Sequence, residues 1–178
     1  MVANPIPKSM LATYWPTWSG PVPISSIPYY NTVMLAFATP GDTAGSVAFG
    51  QNRESRSTFM SDIQSVRSCG RAVLLAVGGA GSYGLTGLTT DEQKIGNAVS
   101  QMEDNWIPSM GGDASKTGLG FGFSPRSTGE TMTLSGMLTV WRALVQNYPS
   151  LRGVFSWEVS CDRDNNYQFA ANMANVHA

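Results

Sequence analysis

The stretch "RGVFSWEVSCDRDN" (residues 152–165) decides how this chain is read. Its first half, Gly153 to Trp157, is short, apolar and rich in aromatic and β-branched residues, as a strand buried in a sheet must be. Its second half carries Glu158, Asp162 and Asp164 and runs into an Asn pair suited to a turn. A tryptophan and carboxylates at the end of a buried strand form the kind of cluster that βα proteins present at their binding face, where variable loops are held by a rigid scaffold. Whether the cluster performs chemistry or only holds a ligand depends on what the rest of the chain supplies, above all between residues 100 and 120.

Four other stretches have the character of strands. "SMLATYWPTW" (9–18) is a short aromatic run ended by Pro16, and "NTVMLAFATPG" (31–41) is a continuous apolar run stopped by Pro40-Gly41. "RAVLLAVGGAGSYG" (71–84) leads into a glycine turn, and "GLGFGFSP" (118–125) is glycine-rich. Unbroken apolar runs suit strands covered on both faces, as in parallel sheets. Helical signals fall between them. "STFMSDIQSVRSCG" offers Ser57 or Thr58 as N-cap, Phe59, Ile63 and Val66 on one face, and Gly70 as the stop. "TTDEQKIGNAVSQM" has a capping box in Thr90 and Gln93 and a stripe of Ile95, Val99 and Met102. "TLSGMLTVWRALVQNYPS" presents Leu134, Leu138, Trp141 and Val145 and ends at Pro149. Five strands and about three helices in βα order build either an open doubly wound sheet or a (β/α)8 barrel, and periodicity does not choose between them.

Bulk composition narrows the function classes. The 178 residues allow one domain, residues 1–178, with a substantial core. Charged residues make up 13 %, about half the usual share, while 19 glycines and 10 prolines supply many turns. Eleven basic against twelve acidic residues give a net charge of −1, so no field exists to gather nucleic acid or an anionic membrane surface. No stretch reaches the roughly 20 apolar residues of a membrane span, and "MVANPIPKSM" lacks the apolar core of a signal peptide. Cys69 precedes one strand and Cys161 follows another, which predicts opposite ends of a parallel sheet, on the order of 20 Å apart, and no disulfide between them.

Four of these stretches, in order along the chain, resemble the family-18 glycoside hydrolases, the chitinases. "TYWPTW" (13–18) is similar to that family's first strand, often GYYPSW, and "MLAFA" (34–38) to its second. "LLAVGG" (74–79) is similar to the third, which usually ends SxGG, with Ala76 standing where the family usually has Ser. "GVFSWEVSCD" (153–162) is similar to the eighth, a GVMxW strand with an Asp five residues after the Trp. The resemblance implies an α/β fold: an incomplete (β/α)8, TIM-barrel-derived domain of about five parallel strands with helices. It further implies chitin or an N-acetylglucosamine oligosaccharide as ligand, an extracellular location with the signal already removed, and neither cofactor nor metal. The ligand-binding residues it implies are Tyr14, Phe37, Gly78, Gly79, Trp157 and Asp162.

The family's signature DxxDxDxE is absent. On the family's fourth strand its terminal Glu protonates the leaving oxygen, while the preceding Asp orients the substrate's own N-acetyl nucleophile; this substrate assistance lets one acid suffice. None of the twelve acidic residues here fits that spacing. The sequence passes near 102–108 from what resembles the third βα unit to what resembles the end of the sixth, "NWIPSMGG". A (β/α)8 domain is typically about 250 residues, so the shortfall matches the gap. The resemblance therefore makes the chain a glycoside hydrolase by descent, and the missing acid leaves no catalytic residue to assign.

Trp157 is expected to be a sugar-stacking floor, since an aromatic face complements the apolar C–H face of a pyranose. If it faces the barrel interior, alternation sends Glu158 toward the helices. Asp162 is expected past the strand end on a loop that water reaches, and Tyr14 is poised between ligand contact and packing. Gly78-Gly79-Ala80-Gly81 lacks the Lys of a P-loop and the spacing of GxGxxG. His177, the sole histidine, leaves nothing from which to build a triad or a zinc site. Asp162 and Asp164 in "DRDNN" read as a solvated turn rather than a cation loop. Three hypotheses stand: an inactive module binding N-acetylglucosamine polymers, an active chitinase with a recruited carboxylate, and an interaction or inhibitor protein on the same scaffold. Five strands are too few to close a barrel, so unpaired edges are expected at 73–79 and 118–123, with self-association through them.

Overall fold

The protein is described by a computed structural model covering residues 4–16, 18, 24–40, 47–48, 55–77, 96, 99–100, 103–104, 107–109, 111–122, 124 and 131–177. Strands β1 (Met10–Pro16), β2 (Thr32–Pro40), β4 (Ala72–Val77), β5 (Gly118–Gly122) and β6 (Gly153–Trp157) form one parallel sheet in the order β4-β2-β1-β6-β5. The fold is α/β, five parallel strands with helices. A two-residue strand, β3 (Val47–Ala48), pairs antiparallel with the end of β2 and has no counterpart in the sequence reading. Among the described residues β4 pairs with β2 alone and β5 with β6 alone, so the "LLAV" and "GLGFG" strands stand at opposite margins with three strands between them.

Alternation along the strands divides the sheet into two faces. Leu11 and Trp15 of β1, Val33 and Leu35 of β2, Leu119 and Phe121 of β5 and Val154 of β6 point to the helices. There they meet Phe59 and Val66 of α1 (Arg56–Ser68) and Met137, Val140, Trp141 and Leu144 of α2 (Leu134–Asn147). Val159 of α3 (Val159–Asp164) and Phe169, Ala170 and Met173 of α4 (Gln168–His177) complete that core. Each such large side chain, fully buried, contributes about 1.5–3 kcal/mol. Met10, Ala12 and Met34 form a second, smaller cluster on the other face, with Tyr14, Leu74 and Phe155 against it.

The local signals explain most boundaries. Ser55, rather than Ser57 or Thr58, caps α1: its extended backbone lets its Oγ accept from the Thr58 N–H at 3.2 Å, and the helix starts one residue on. Thr133 does the same for α2, accepting from Gly136 N at 3.2 Å. The buried line of α2 runs through Met137, Val140, Trp141 and Leu144, with Leu134, Leu138 and Val145 on its partly buried flanks. The apolar face is wider than a single i, i+4 series, so the series centred on Met137 and Leu144 takes the middle. Gly153 is required: at φ +149° an added Cβ would run into the carbonyl oxygen of Met10 on the adjacent strand. Both cysteines are free, Cys69 exposed and Cys161 buried. Of the helix predicted over 90–102, Gly96, Val99 and Ser100 are described and are helical. Of the junction at 102–108, Glu103, Asp104, Ile107 and Pro108 are described, the last two within a helical turn at Ile107–Ser109. No described helix is long and apolar enough to cross a membrane.

Candidate functional site

At the C-terminal ends of β1, β2 and β6, the face opposite the helices gathers aromatic rings. Tyr14 is central: its ring centroid lies 4.9 Å from Trp157, 5.4 Å from Phe37 and 5.5 Å from Phe155, the last at an interplanar angle of 86°. Phe37 and Trp157 stack at 5.4 Å and 13°. Trp18, 43 % exposed, reaches both, at 5.9 Å from Phe37 and 6.4 Å from Trp157. These separations fall in the range of attractive ring pairs, so the rings form one contiguous platform, its planes tilted against one another by 13° to 86°. Partial burial pushes the Tyr14 phenol above its ordinary value, so its hydroxyl stays neutral and able to donate. Phe37 and Trp157 both take part in cis peptide bonds, Ala36–Phe37 and Trp157–Glu158.

Behind this platform, on the helix-bearing face, lies a buried polar chain. Ser156 Oγ donates to Thr13 Oγ1 at 2.7 Å and lies 3.0 Å from the hydroxyl of Tyr30. That hydroxyl donates to Asp162 Oδ2 at 2.6 Å. Asp162 also accepts from the backbone N–H of Phe169 at 3.0 Å and of Ala170 at 3.2 Å, tying down the start of α4. Thr13, Ser156 and Asp162 are 0 % exposed, and Tyr30 is 2 % exposed. Burial raises the Asp162 carboxyl above its ordinary value, opposed by the Tyr30 hydroxyl and the two backbone N–H groups. Burial likewise drives the Tyr30 phenol well above its ordinary value, aided by the charge of Asp162.

This placement corrects the sequence reading of Asp162. The residue sits on α3, a short helix packed against β1 and β6, and not on a loop reached by water. The chain turns helical at once after Trp157 because Glu158 caps α3: its carboxylate accepts from Ser160 N at 2.9 Å, from Ser160 Oγ, and from Cys161 Sγ at 3.3 Å. Neither carboxylate is offered to a ligand on the aromatic platform. Of the residues singled out from sequence, Tyr14, Phe37 and Trp157 are brought together. Asp162 faces Tyr30 and α4, while Gly78 and Gly79 lie outside the described residues. Two platform members were missed. Trp18 belongs to the quoted "TYWPTW", and Phe155 stands two residues before Trp157, so motif membership and alternation would have found both. Tyr30, Ser156 and Thr13 carry no local signal, because their partners are more than a hundred residues away.

No family model and no curated protein sequence matches the chain. Among solved structures, a family GH18 chitinase from Chromobacterium violaceum is similar at 19 % identity and TM-score 0.37, over 86 % of this chain and 41 % of that one. The catalytic domain of a hyperthermophilic chitinase from Pyrococcus furiosus is similar at 19 % identity and TM-score 0.34, over 86 % and 48 %. Active domain 2 of the Pyrococcus furiosus chitinase, in catalytic-site mutants complexed with chito-oligosaccharides, gives 18 % identity and TM-score 0.34 over 86 % and 48 %. The chain spans half or less of the length of the solved structures it matches.

Proposed function

We propose that this chain is a chitinase-like scaffold that binds N-acetylglucosamine polymers outside the cell without hydrolysing them. The observation that carries this reading is the platform of Tyr14, Trp18, Phe37 and Trp157 at the C-terminal ends of three adjacent parallel strands. Rings so placed stack on the apolar face of a sugar and shed water from it. The four stretches that resemble family-18 strands point to the same sugar class. The internal shortening near 102–108 belongs to this reading, as does association of copies through the outer edges of β4 and β5, where Leu75 is 49 % exposed.

Hydrolysis requires an acid within reach of the leaving oxygen, and geometry comes before pKa. Asp162 has the raised carboxyl of a general acid, yet it is wholly buried and engaged by Tyr30 and the start of α4. Glu158 is engaged as a helix cap. A missing general acid alone costs about 10² to 10⁴ in rate. The decisive measurement is a calorimetric titration of chitotetraose with parent, Trp157→Ala and Glu158→Gln, beside a fluorogenic chitobioside assay. Binding weakened about tenfold in Trp157→Ala, with no turnover in any of the three, is the expected result. Turnover in the parent that Glu158→Gln or Asp162→Asn abolishes would replace this reading with a recruited acid.

A further inference from the structure

We infer that the buried chain Thr13–Ser156–Tyr30–Asp162 is a positioning device that sets the Tyr14–Trp157 ring pair from the opposite face of the sheet. The backbone register leaves room for such a device. β1 and β6 are paired from Met10/Gly153 through Thr13/Ser156, and Tyr14 and Trp157 come one residue beyond that last rung. No backbone rung of the β1–β6 ladder joins these two platform residues, although Tyr14 is paired with Met34 of β2 and Trp157 with Gly122 of β5. The 2.7 Å bond between the Ser156 and Thr13 hydroxyls spans the same last rung as a side-chain clasp, immediately before the rings.

The clasp is itself held from behind. Tyr30, two residues before the start of β2, lies 3.0 Å from Ser156 and donates its hydroxyl hydrogen bond to Asp162 at 2.6 Å. Asp162 lies on α3, the helix that begins directly after Trp157 and Glu158, and its carboxylate grips the first turn of α4. The strand segment bearing Trp157 is thus tied on one side through Ser156 and on the other through α3, both ends meeting at Tyr30. Buried hydrogen-bonded chains of this kind are stiff because every member left unpaired would bear a desolvation cost. None of the four residues needs to touch a sugar to set where the rings stand. The spectroscopic part of this inference is independent of the proposed sugar ligand; its consequence for affinity rests on that reading.

Two substitutions at one position separate positioning from mere stability. Thr13→Val keeps the shape and β-branching and removes the hydroxyl, whereas Thr13→Ser keeps the hydroxyl and loses a methyl. Both are expected to lower the melting temperature. Only Thr13→Val is expected to change the near-UV circular dichroism band assigned to the ring pair by comparison with Trp157→Phe, and to weaken chitotetraose binding about two- to tenfold. Thr13→Ser should match the parent in both readouts. Tyr30→Phe, which retains the ring and its packing, provides a second variant and should move the same band in the same direction. A Thr13→Val or Tyr30→Phe protein whose ring-pair band equals the parent's overturns the inference, whatever happens to sugar binding. If instead Trp157→Ala binds chitotetraose as tightly as the parent, the sugar reading falls, and the positioning role is decided by the spectrum alone.

Discussion

The two faces of the sheet solve opposite problems with the same strands. On the helix-bearing face, Leu11, Val33, Val154 and their neighbours are sealed beneath helices, and the polar groups admitted there, Thr13, Ser156, Tyr30 and Asp162, satisfy one another. On the aromatic face, Tyr14, Phe37, Phe155 and Trp157 are only partly buried and Trp18 is 43 % exposed. One face is closed and specific, while the other is apolar and accessible. A residue that must hold the fold can be wholly desolvated, whereas a residue that must meet a ligand keeps part of its surface in water.

The largest test of that division sets one residue from each face against the other. Asp162→Ala removes the acceptor of the Tyr30 hydroxyl and strands two buried backbone N–H groups at the start of α4, an expected cost of about 3 to 5 kcal/mol in urea denaturation. Trp157→Ala gives up a half-buried ring and should cost about 1 to 2 kcal/mol. Equal losses would mean that the aromatic rings hold the fold as much as the buried chain does, and the division of labour would fail.

A smaller effect examines whether the aromatic face acts as a unit. Gly120 of β5 faces Phe155, and an added Cβ would run into the Phe155 ring. That ring packs edge-on against Tyr14 at 5.5 Å. Gly120→Ala must therefore push Phe155 aside, and overpacking of this kind costs about 1 to 3 kcal/mol. If the platform is continuous, the near-UV band of the Tyr14–Trp157 pair should shift as well, through Phe155. A change in stability with an unaltered band would confine Phe155 to local packing.

How much of this was readable in the sequence follows from range. The strands and their βα order were legible because a buried parallel strand is an unbroken apolar run, and "VMLAFA", "AVLLAV" and "GVFSW" are such runs. Tyr14, Phe37 and Trp157 were legible because they stand in quoted strand motifs. Asp162 was misplaced because "DRDN" has the composition of a turn. What makes it a helix is the Glu158 cap, and what buries it is Tyr30, 132 positions away. Local composition reports on short-range preference, and the long-range partner that satisfies a buried carboxylate leaves no trace in it. The same reason hides the Thr13–Ser156 clasp, whose partners become neighbours only once β1 and β6 pair.

The smallest expected effect is the pH dependence of stability, which separates the closed face from the surface because Asp162 and the surface Asp113 should contribute to its acid limb with opposite signs. Burial raises the Asp162 carboxyl above its ordinary 3.8. Between that value and the raised one in the fold, the native state holds a proton that the unfolded chain has released. The Asp162 contribution is therefore fully present below 3.8 and is lost as pH climbs through the folded value. Tyr30, raised well above 10.0 by burial and by Asp162, behaves in the same sense one window higher: stability declines as pH rises beyond 10.0, where the unfolded phenol ionises first. Asp113 supplies a control of opposite sign. Its hydrogen bond from Ser115 holds it below 3.8, so its contribution is present above that value and fades on acidification. Urea midpoints of parent, Asp162→Asn, Tyr30→Phe and Asp113→Asn, taken from about pH 3 to about pH 11, separate the three. Asp162→Asn should remove a decline on the acid side and Tyr30→Phe should lessen the alkaline one, leaving the share of Tyr14, whose phenol is also raised, whereas Asp113→Asn should change only the most acidic points. If Asp162→Asn leaves the acid-side slope unchanged, the hydrogen bonds from Tyr30, Phe169 and Ala170 offset the burial of the carboxyl in full, and the closed face contributes nothing to the acid limb.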